Sequence, residues 1–256
     1  TVYINKNLRT STNYLIVSMS VSDILFPLFN LLHYMVLYRR VSQLPKLVGN
    51  LLCKLLPFIQ AVSFGVSMLT LVAITVYRFA AVMFPMRARV QNKRKRLLVL
   101  LLTWVISIAM FSLYLFVFEF DENIQTCITI STTKLQRRIW IVAIVLLFHL
   151  LPLLIMLVLY PLIIIKLMKK KVPGHVHCDQ VVIRRRRQNL RLTMMFLVIT
   201  VAFLLSWGPR IISLVFTMTR YKLVSCWCDR SFIVNVSIIT RVVFHAIHPM
   251  IYFIFL

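Results

Sequence analysis

Residues 50–84, NLLCKLLPFIQAVSFGVSMLTLVAITVYRFAAVMF, form the stretch that decides the fold. They are almost continuously apolar, and an α-helix needs about 20 such residues to cross the ~30 Å hydrocarbon layer of a bilayer. Cys53 and Arg78 lie 25 residues apart, which is roughly 37 Å on one helix, so they are expected at opposite faces of the membrane. The stretch therefore predicts a tilted helix that runs through the full membrane depth.

Five further apolar stretches complete the pattern. Hydrophobic residues make up 61% of the 256 residues, the mean hydropathy is +0.89 and charged residues make up only 14%. A globule of this size cannot hide that much apolar surface from water. Apolar runs without two-residue alternation favour helices over barrel strands. The sequence therefore predicts an all-α membrane protein with a single transmembrane domain over residues 1–256. Its helices are expected at 13–38, 50–84, 97–118, 138–168, 189–218 and 231–256.

The net charge of +24 lies mainly in the segments between these spans. Segments 1–12, 78–96 and 166–191 carry 18 Lys and Arg against one acid, whereas the alternate segments carry ten against four. The positive-inside rule then places residues 1–12 in the cytosol. Topology and contact with anionic lipid account for the charge, so we expect membrane lipid and no nucleic acid as a partner.

Landmark residues occur in these stretches in a fixed order. They are Asn13, Asp23, Cys53, Tyr77-Arg78-Phe79, Pro85, Trp104, Cys127, Pro152, Tyr160, Phe203, Ser206-Trp207-Gly208-Pro209 and His248-Pro249-Met250-Ile251-Tyr252. In this set and order the chain resembles the rhodopsin-like (class A) G-protein-coupled receptors. The resemblance covers the whole chain and implies a seven-transmembrane helix bundle of which helices two to seven are present. We therefore expect a fragment without its first helix and its tail.

The resemblance also implies a function and a disulfide. Such a chain is a multi-pass receptor of the plasma membrane that binds an extracellular ligand and activates heterotrimeric G proteins, with no cofactor. A disulfide between Cys53 and Cys127 would staple an outer loop to a helix, and its loss typically costs ~2–5 kcal/mol; two free thiols are the alternative. Cys226 and Cys228 are too close in sequence to bridge easily, so one is expected to pair with the missing N-terminal segment.

One set of residues is expected, by resemblance, to form the activation switch. Arg78 would leave its resting partner and meet Tyr160 and the G protein when the helix of Trp207 swings outward. A cation that merely anchors a helix end is the alternative. Trp207 precedes Pro209 by two residues, where a kink couples an aromatic rotamer to helix motion. The full set is Asp23, Ser67, Met68, Arg78, Pro152, Tyr160, Phe203, Trp207, Pro209, His248, Pro249 and Tyr252.

Two departures from the family pattern concern Arg78. Tyr77 stands where the family usually has an acid, and Asn189 stands where many relatives carry a Glu that faces this Arg. If each missing pair is worth on the order of 1 kcal/mol, losing one shifts a two-state equilibrium about fivefold. We predict elevated basal signalling; resting stability from other contacts is the alternative.

A third departure is His248, which replaces the usual Asn of the last motif. Asp23 with Ser63 and Ser67 resembles the family's mid-membrane sodium pocket, and a carboxylate inside the membrane is functional by default. An imidazolium at His248 would replace sodium as the counter-charge of Asp23. This interpretation predicts weak or absent sodium modulation and a pH-dependent resting state. A neutral His248 that donates one hydrogen bond is the alternative.

The ligand cavity is expected around the outer part of the helix over 50–84. Gln60 stands where biogenic-amine receptors have an Asp and where many neuropeptide receptors have Gln, so we expect a peptide ligand. Arg210 and Arg241 are expected to point into one cavity without an acid, so the ligand should present an anion. A small anionic molecule is the alternative ligand, and Arg side chains that snorkel outward or bind helix carbonyls are the alternative arrangement. The expected cavity residues are His33, Gln60, Ala61, Phe64, Trp207, Arg210, Leu214, Ile238 and Arg241.

Other functional classes have weaker support. The sequence shows no nucleophile with a neighbouring base and no phosphate loop, so we expect no enzyme. His175, His177 and Cys178 are metal donors, but three donors in one flexible inner loop do not make a metal site. A transporter could use the intramembrane charges, yet the chain has no internal repeat. A non-signalling scavenger receptor of the same fold is suggested by Tyr77 and His248.

Overall fold

The computed structural model describes residues 11–38, 45–84, 93–129, 133–169, 176–219 and 230–255. A π-helical turn, Leu146–Leu150, joins two of the helices into one column. In chain order the elements are α1 (Ser11–Tyr38), α2 (Lys46–Met83), α3 (Lys93–Phe111), α4 (Tyr114–Val117), β1 (Phe118–Asp121), β2 (Thr126–Thr129), α5 (Lys134–Val145), α6 (Leu151–Lys169), α7 (Val176–Thr219) and α8 (Arg230–Phe255).

The prediction of an all-α membrane bundle is confirmed. Five of the described helical stretches are long and apolar enough to cross a bilayer. They are Tyr14–Met35, Lys46–Met83, Leu97–Val117, Arg138–Lys169 and Arg187–Ile212. The sixth predicted stretch forms α8. Helices suit the apolar solvent because each satisfies its own backbone hydrogen bonds.

Helix α2 lies at the centre of the bundle and contacts α1, α3 and α6, while α8 packs against α7 and α1. The middle of α2 is almost continuously buried, including Leu71 and Ile74. By contrast, Leu97 and Leu101 on α3 are more than half exposed, at 59% and 55%. In a membrane protein these surface side chains face lipid rather than water. Their exposure is therefore compatible with a stable fold.

The outer end of the bundle carries a two-stranded hairpin that the sequence analysis did not predict. β1 and β2 pair antiparallel, with Phe120 opposite Cys127. A disulfide joins Cys127 to Cys53 on α2, with a Cα–Cα distance of 5.6 Å. The Phe120 N–H donates to Asn50 Oδ1 at 2.8 Å, and a Cβ at Gly49 would collide with the Phe120 ring. The hairpin is therefore seated directly on α2.

Several helices differ from the predicted boundaries; α3, for example, ends at Phe111 rather than at residue 118. α7 begins at Val176, within a segment expected to be loop as far as residue 188, because its Arg and Gln residues form helix readily where water solvates them. The column of α5 and α6 widens into the π-helical turn just before Pro152. Pro152 lacks an N–H and its ring crowds the carbonyl four residues earlier, which the wider turn accommodates.

Candidate functional site

A cavity of about 780 Å³ lies between the helices beside β1. Every predicted cavity residue except Leu214 lines it; the Leu214 side chain lies outside the described residues. The volume of the cavity falls in the range that is usual for binding sites of small ligands. The lining residues are Phe26, Asn30, His33, Tyr34, Pro57, Gln60, Ala61, Phe64, Phe111, Leu113, Tyr114, Val117, Phe118, Gln136, Trp140, Ile141, Ile144, His149, Trp207, Arg210, Ile238 and Arg241.

Trp207 forms part of the cavity wall and connects it to the aromatic core. Its ring centroid lies 4.0 Å from that of Phe64 and 5.9 Å from that of Phe203. Only 6% of its surface is exposed, and Phe26 meets its edge at 6.0 Å. A ligand that moves this indole must therefore displace rings on α1, α2 and α7.

The turn before Pro209 is tied to α8. Thr240 Oγ1 donates to the Ser206 carbonyl at 2.9 Å and also lies 2.9 Å from the Val236 carbonyl. Pro209 cannot complete the helical ladder, and side chains of neighbouring helices can satisfy the backbone groups that a kink exposes. The kink of α7 and the position of α8 are thus linked.

Arg241 and Arg210 bring two cations to the cavity lining. Arg241 is 9% exposed, its Nε donates to the Ser237 carbonyl at 2.7 Å, and its guanidinium carbon lies 5.0 Å from the Trp207 ring centroid. None of the described residues that line the cavity is Asp or Glu. Both Arg side chains line the cavity, as expected from the sequence, but Arg241 also binds a helix carbonyl, which was the alternative arrangement. The anionic ligand therefore stays a prediction.

Deeper in the bundle, Asp23 accepts three hydrogen bonds and is fully buried. Ser67 Oγ donates to Oδ1 at 2.8 Å. His245 Nδ1 lies 2.9 Å from Oδ1 and His248 Nδ1 lies 2.6 Å from Oδ2; an ionised carboxylate only accepts, so both imidazoles donate. Ser63, also considered for this pocket, instead donates to the Ile59 carbonyl at 2.8 Å.

His245 is the residue of this cluster that the sequence analysis missed. It precedes His248 by three residues on α8, a spacing that puts both on one helix face. Its ring stacks on Phe26 with a centroid distance of 4.1 Å. Phe26 contacts Trp207 and also lines the cavity, so His245 connects the cavity wall to the buried carboxylate.

At the inner end of α2, Arg78 has no ion pair with a carboxylate within the described residues. Its Nε is buried without a hydrogen-bond partner there. Tyr160, the residue that Arg78 is expected to meet on activation, instead lies 3.0 Å from Thr75 Oγ1. Because Thr75 already donates to the Leu71 carbonyl at 2.8 Å, Tyr160 donates this bond. The structure thus holds Tyr160 away from the expected contact.

The remaining predicted switch residues divide into two groups. Met68 and Pro152 are buried in the core together with Phe203. Tyr252 lies where side chains are outside the described part of the chain, as do Cys226, Cys228 and the inner-loop donors around His175. In the described residues, no group of three or more His, Cys, Asp or Glu side chains is arranged to hold a metal ion.

The cavity also contains residues that sequence reasoning did not find, chiefly Tyr114, Trp140 and His149. Tyr114 meets Trp140 edge-on at 4.9 Å. His149 lies in the π-helical turn, 5.0 Å from the Phe64 ring and 5.3 Å from Trp207. The extra residue per turn changes the face that His149 presents, so a regular helical period could not predict its position.

Comparisons with known proteins agree with this architecture. Residues 1–252 match the model of the 7 transmembrane receptor (rhodopsin family). Among curated proteins, Neuropeptide receptor 22 of Caenorhabditis elegans is 28% identical over 235 residues, which are 87% of this chain and 54% of that protein. The QRFP-like peptide receptor of Branchiostoma floridae is 28% identical over 221 residues, 81% of this chain and 56% of that protein.

A third relative is closer in identity. The Growth hormone secretagogue receptor type 1 of Sus scrofa is 31% identical over 217 residues, which cover 80% of this chain and 57% of that protein. The chain thus spans about half the length of the curated relatives it matches.

Proposed function

Because the chain belongs to the rhodopsin family of seven-transmembrane receptors, we propose that it binds an extracellular peptide and activates a heterotrimeric G protein at the plasma membrane. The observation that carries the proposal is the connection between the cavity and the buried carboxylate. Trp207 lines the cavity, Phe26 touches Trp207, and His245 stacks on Phe26 while bonding Asp23. A ligand that displaces Trp207 therefore disturbs the aromatic contacts that position His245 against Asp23.

The peptide class is supported by the site and by the relatives. Gln60 and Asn30 offer amide groups in a largely aromatic cavity, and such groups can pair with a peptide backbone. Of the relatives reported above, one is named as a peptide receptor and another as a neuropeptide receptor. Activation is then a population shift between two bundle packings, with Asp23, Trp207 and Arg78 among the switch residues.

Nucleotide exchange tests the proposal. The full-length protein would be reconstituted with a panel of G proteins and challenged with a neuropeptide library, with Arg78→Ala alongside and Arg138→Ala as a surface control. We expect one or more peptides to raise exchange, Arg78→Ala to abolish the rise, and Arg138→Ala to retain it. Arg138 is exposed and does not line the cavity.

Flat exchange in protein shown to reach the cell surface and to bind peptide would contradict signalling and favour a scavenger receptor of the same fold. Substrate flux into vesicles without peptide binding would favour a transporter. Exchange that survives Arg78→Ala would remove Arg78 from the switch while leaving receptor activity in place.

A further inference from the structure

We propose that the floor of the cavity is an anion subsite, in which Arg241 and Arg210 hold a carboxylate of the ligand. The inference deepens the proposed function and rests on it, since it assigns the ligand's chemistry at the same cavity. It depends on the placement of the two guanidinium groups and on the lack of an acidic residue among the described residues that line the cavity.

Arg241 is positioned as a preorganised donor. Its Nε bond to the Ser237 carbonyl, at 2.7 Å, and its packing over the Trp207 ring, at 5.0 Å, fix the plane of the guanidinium. Within the described residues, no further hydrogen bond to a protein acceptor occupies its terminal nitrogens, and the side chain lines the cavity. The two Nη groups are therefore free to form the parallel pair of bonds that a carboxylate accepts.

Among the described residues, no carboxylate compensates the local charge. Arg210 and Arg241 repel each other, and none of the described residues that line the cavity is Asp or Glu. Asp23 does not line the cavity, and it already accepts bonds from Ser67 and two imidazoles. A desolvated charge without a partner is unfavourable, so an anion that enters the cavity gains both cations and relieves their repulsion.

Surrounding groups define what accompanies the anion. The ring centroids of Phe64 and Trp207 lie 4.0 Å apart, and Tyr114 and Trp140 form an aromatic pair in the same lining. The buried Trp207 Nε1 has no acceptor among the described residues. The site therefore suits an aromatic or apolar group that carries a carboxylate. In a peptide, that carboxylate is either the C-terminus or an Asp or Glu side chain.

Three small probes test the subsite and distinguish these two sources. N-acetyltryptophan presents a terminal carboxylate, N-acetyltryptophan amide presents none, and N-acetyl-aspartyl-tryptophan amide presents a side-chain carboxylate. Each would be titrated into purified full-length protein in lipid nanodiscs while the thermal unfolding midpoint is followed. We expect at least one acid to bind roughly 10- to 100-fold more tightly than the neutral amide, as for charge-assisted hydrogen bonds. The tighter of the two acids identifies the source of the anion.

Variants assign the effect to the two cations. Arg241→Gln should reduce the preference for the acid to near onefold, Arg210→Gln should reduce it in part, and Arg241→Lys should retain part of it. Arg138→Gln is the matched control and should keep the full preference. If Arg241→Gln does not fold, Arg241→Lys and Arg210→Gln carry the test. Equal binding of acid and amide, or a preference that persists in both Arg210→Gln and Arg241→Lys at full strength, would overturn the proposal.

The readout needs no G protein, which separates the two proposals. A subsite that binds acids in a protein without nucleotide exchange would leave the anion inference in place and contradict the proposed signalling. Peptide-stimulated exchange in a protein that does not distinguish acid from amide would do the reverse.

Discussion

At the scale of single residues, the Asp23 cluster differs most from the pattern expected of the family. Sequence reasoning anticipated His248 beside Asp23, and the structure adds His245 on the other carboxylate oxygen. Ser67 Oγ also donates to Oδ1. A sodium ion binds through oxygen lone pairs, and the lone pairs of Asp23 are already engaged by three donors. This arrangement supports the prediction of weak sodium modulation.

The sodium prediction can be tested by removing the imidazoles. In the wild-type protein, replacing sodium with N-methylglucamine at constant ionic strength should leave basal exchange and the unfolding midpoint unchanged. The double variant His245→Ser, His248→Asn frees the carboxylate, so sodium should stabilise it and lower its basal exchange. Adding Asp23→Asn to the double variant is the control and should remove the response. A sodium response in the wild-type protein would contradict the prediction.

At the scale of elements, small residues decide how closely the helices approach. α2 packs on α3 at Gly65, where an added Cβ would lie 2.7 Å from Phe111 Cε2 and 2.8 Å from Ser107 Oγ. Trp104 Nε1 donates to Ser18 Oγ at 3.1 Å and ties α3 to α1 in the same region. Close backbone contact of this kind supports helix association where the apolar solvent gives no hydrophobic drive.

The packing at Gly65 predicts that an added methyl group changes stability differently at Gly65 and at Gly208. Gly65→Ala should destabilise the bundle by about 1–3 kcal/mol, because the aromatic ring of Phe111 and the turn of Ser107 must move. Gly208→Ala is the matched control: a Cβ there meets nothing within 4 Å, so helix propensity alone should leave stability unchanged or raise it by about 0.5–1 kcal/mol. The measurement is the thermal unfolding midpoint in detergent. Equal shifts in the two variants would count against the tight contact.

At the scale of the whole molecule, the proposed population shift between two bundle packings would depend on a few polar contacts. The Tyr160 hydroxyl bonds Thr75, which joins α6 to α2 in the present packing. Arg78 has no carboxylate partner in the described part of the chain. Both acids that typically restrain this Arg in the family are replaced, by Tyr77 and Asn189.

Restoring those acids should lower the basal signalling of the receptor. Tyr77→Asp and Asn189→Glu should each lower basal nucleotide exchange about fivefold, if one exposed pair is worth on the order of 1 kcal/mol. Tyr77→Phe and Asn189→Gln change the side chains without adding charge and should not reproduce the decrease. Basal exchange that stays constant in the double acid variant would place the resting restraint elsewhere, for example in the Tyr160–Thr75 bond.

The sequence alone determined the class and the apolar stretches, and it predicts the side of the membrane that each loop faces. A lipid environment requires long apolar helices whose backbone hydrogen bonds form within each helix. The hydropathy of successive residues is enough to predict such helices. The spacing along α2 also placed Gln60, Ala61 and Phe64 on one face, because a regular helix has a known period. These properties are local, so tertiary contacts did not need to be known.

Only the tertiary structure decided which residues meet across helices. The pairing of His245 with Asp23 depends on the rotation of α8 against α1, and the entry of His149 into the cavity depends on a π-helical turn. The seat of the β1–β2 hairpin on α2 combines the disulfide with long-range contacts of Phe120, which packs at Gly49 and donates a hydrogen bond to Asn50. The rotation of helices, their kinks and the hydrogen bonds between them arise from the packing of whole helices. They cannot be predicted from the hydropathy of the sequence.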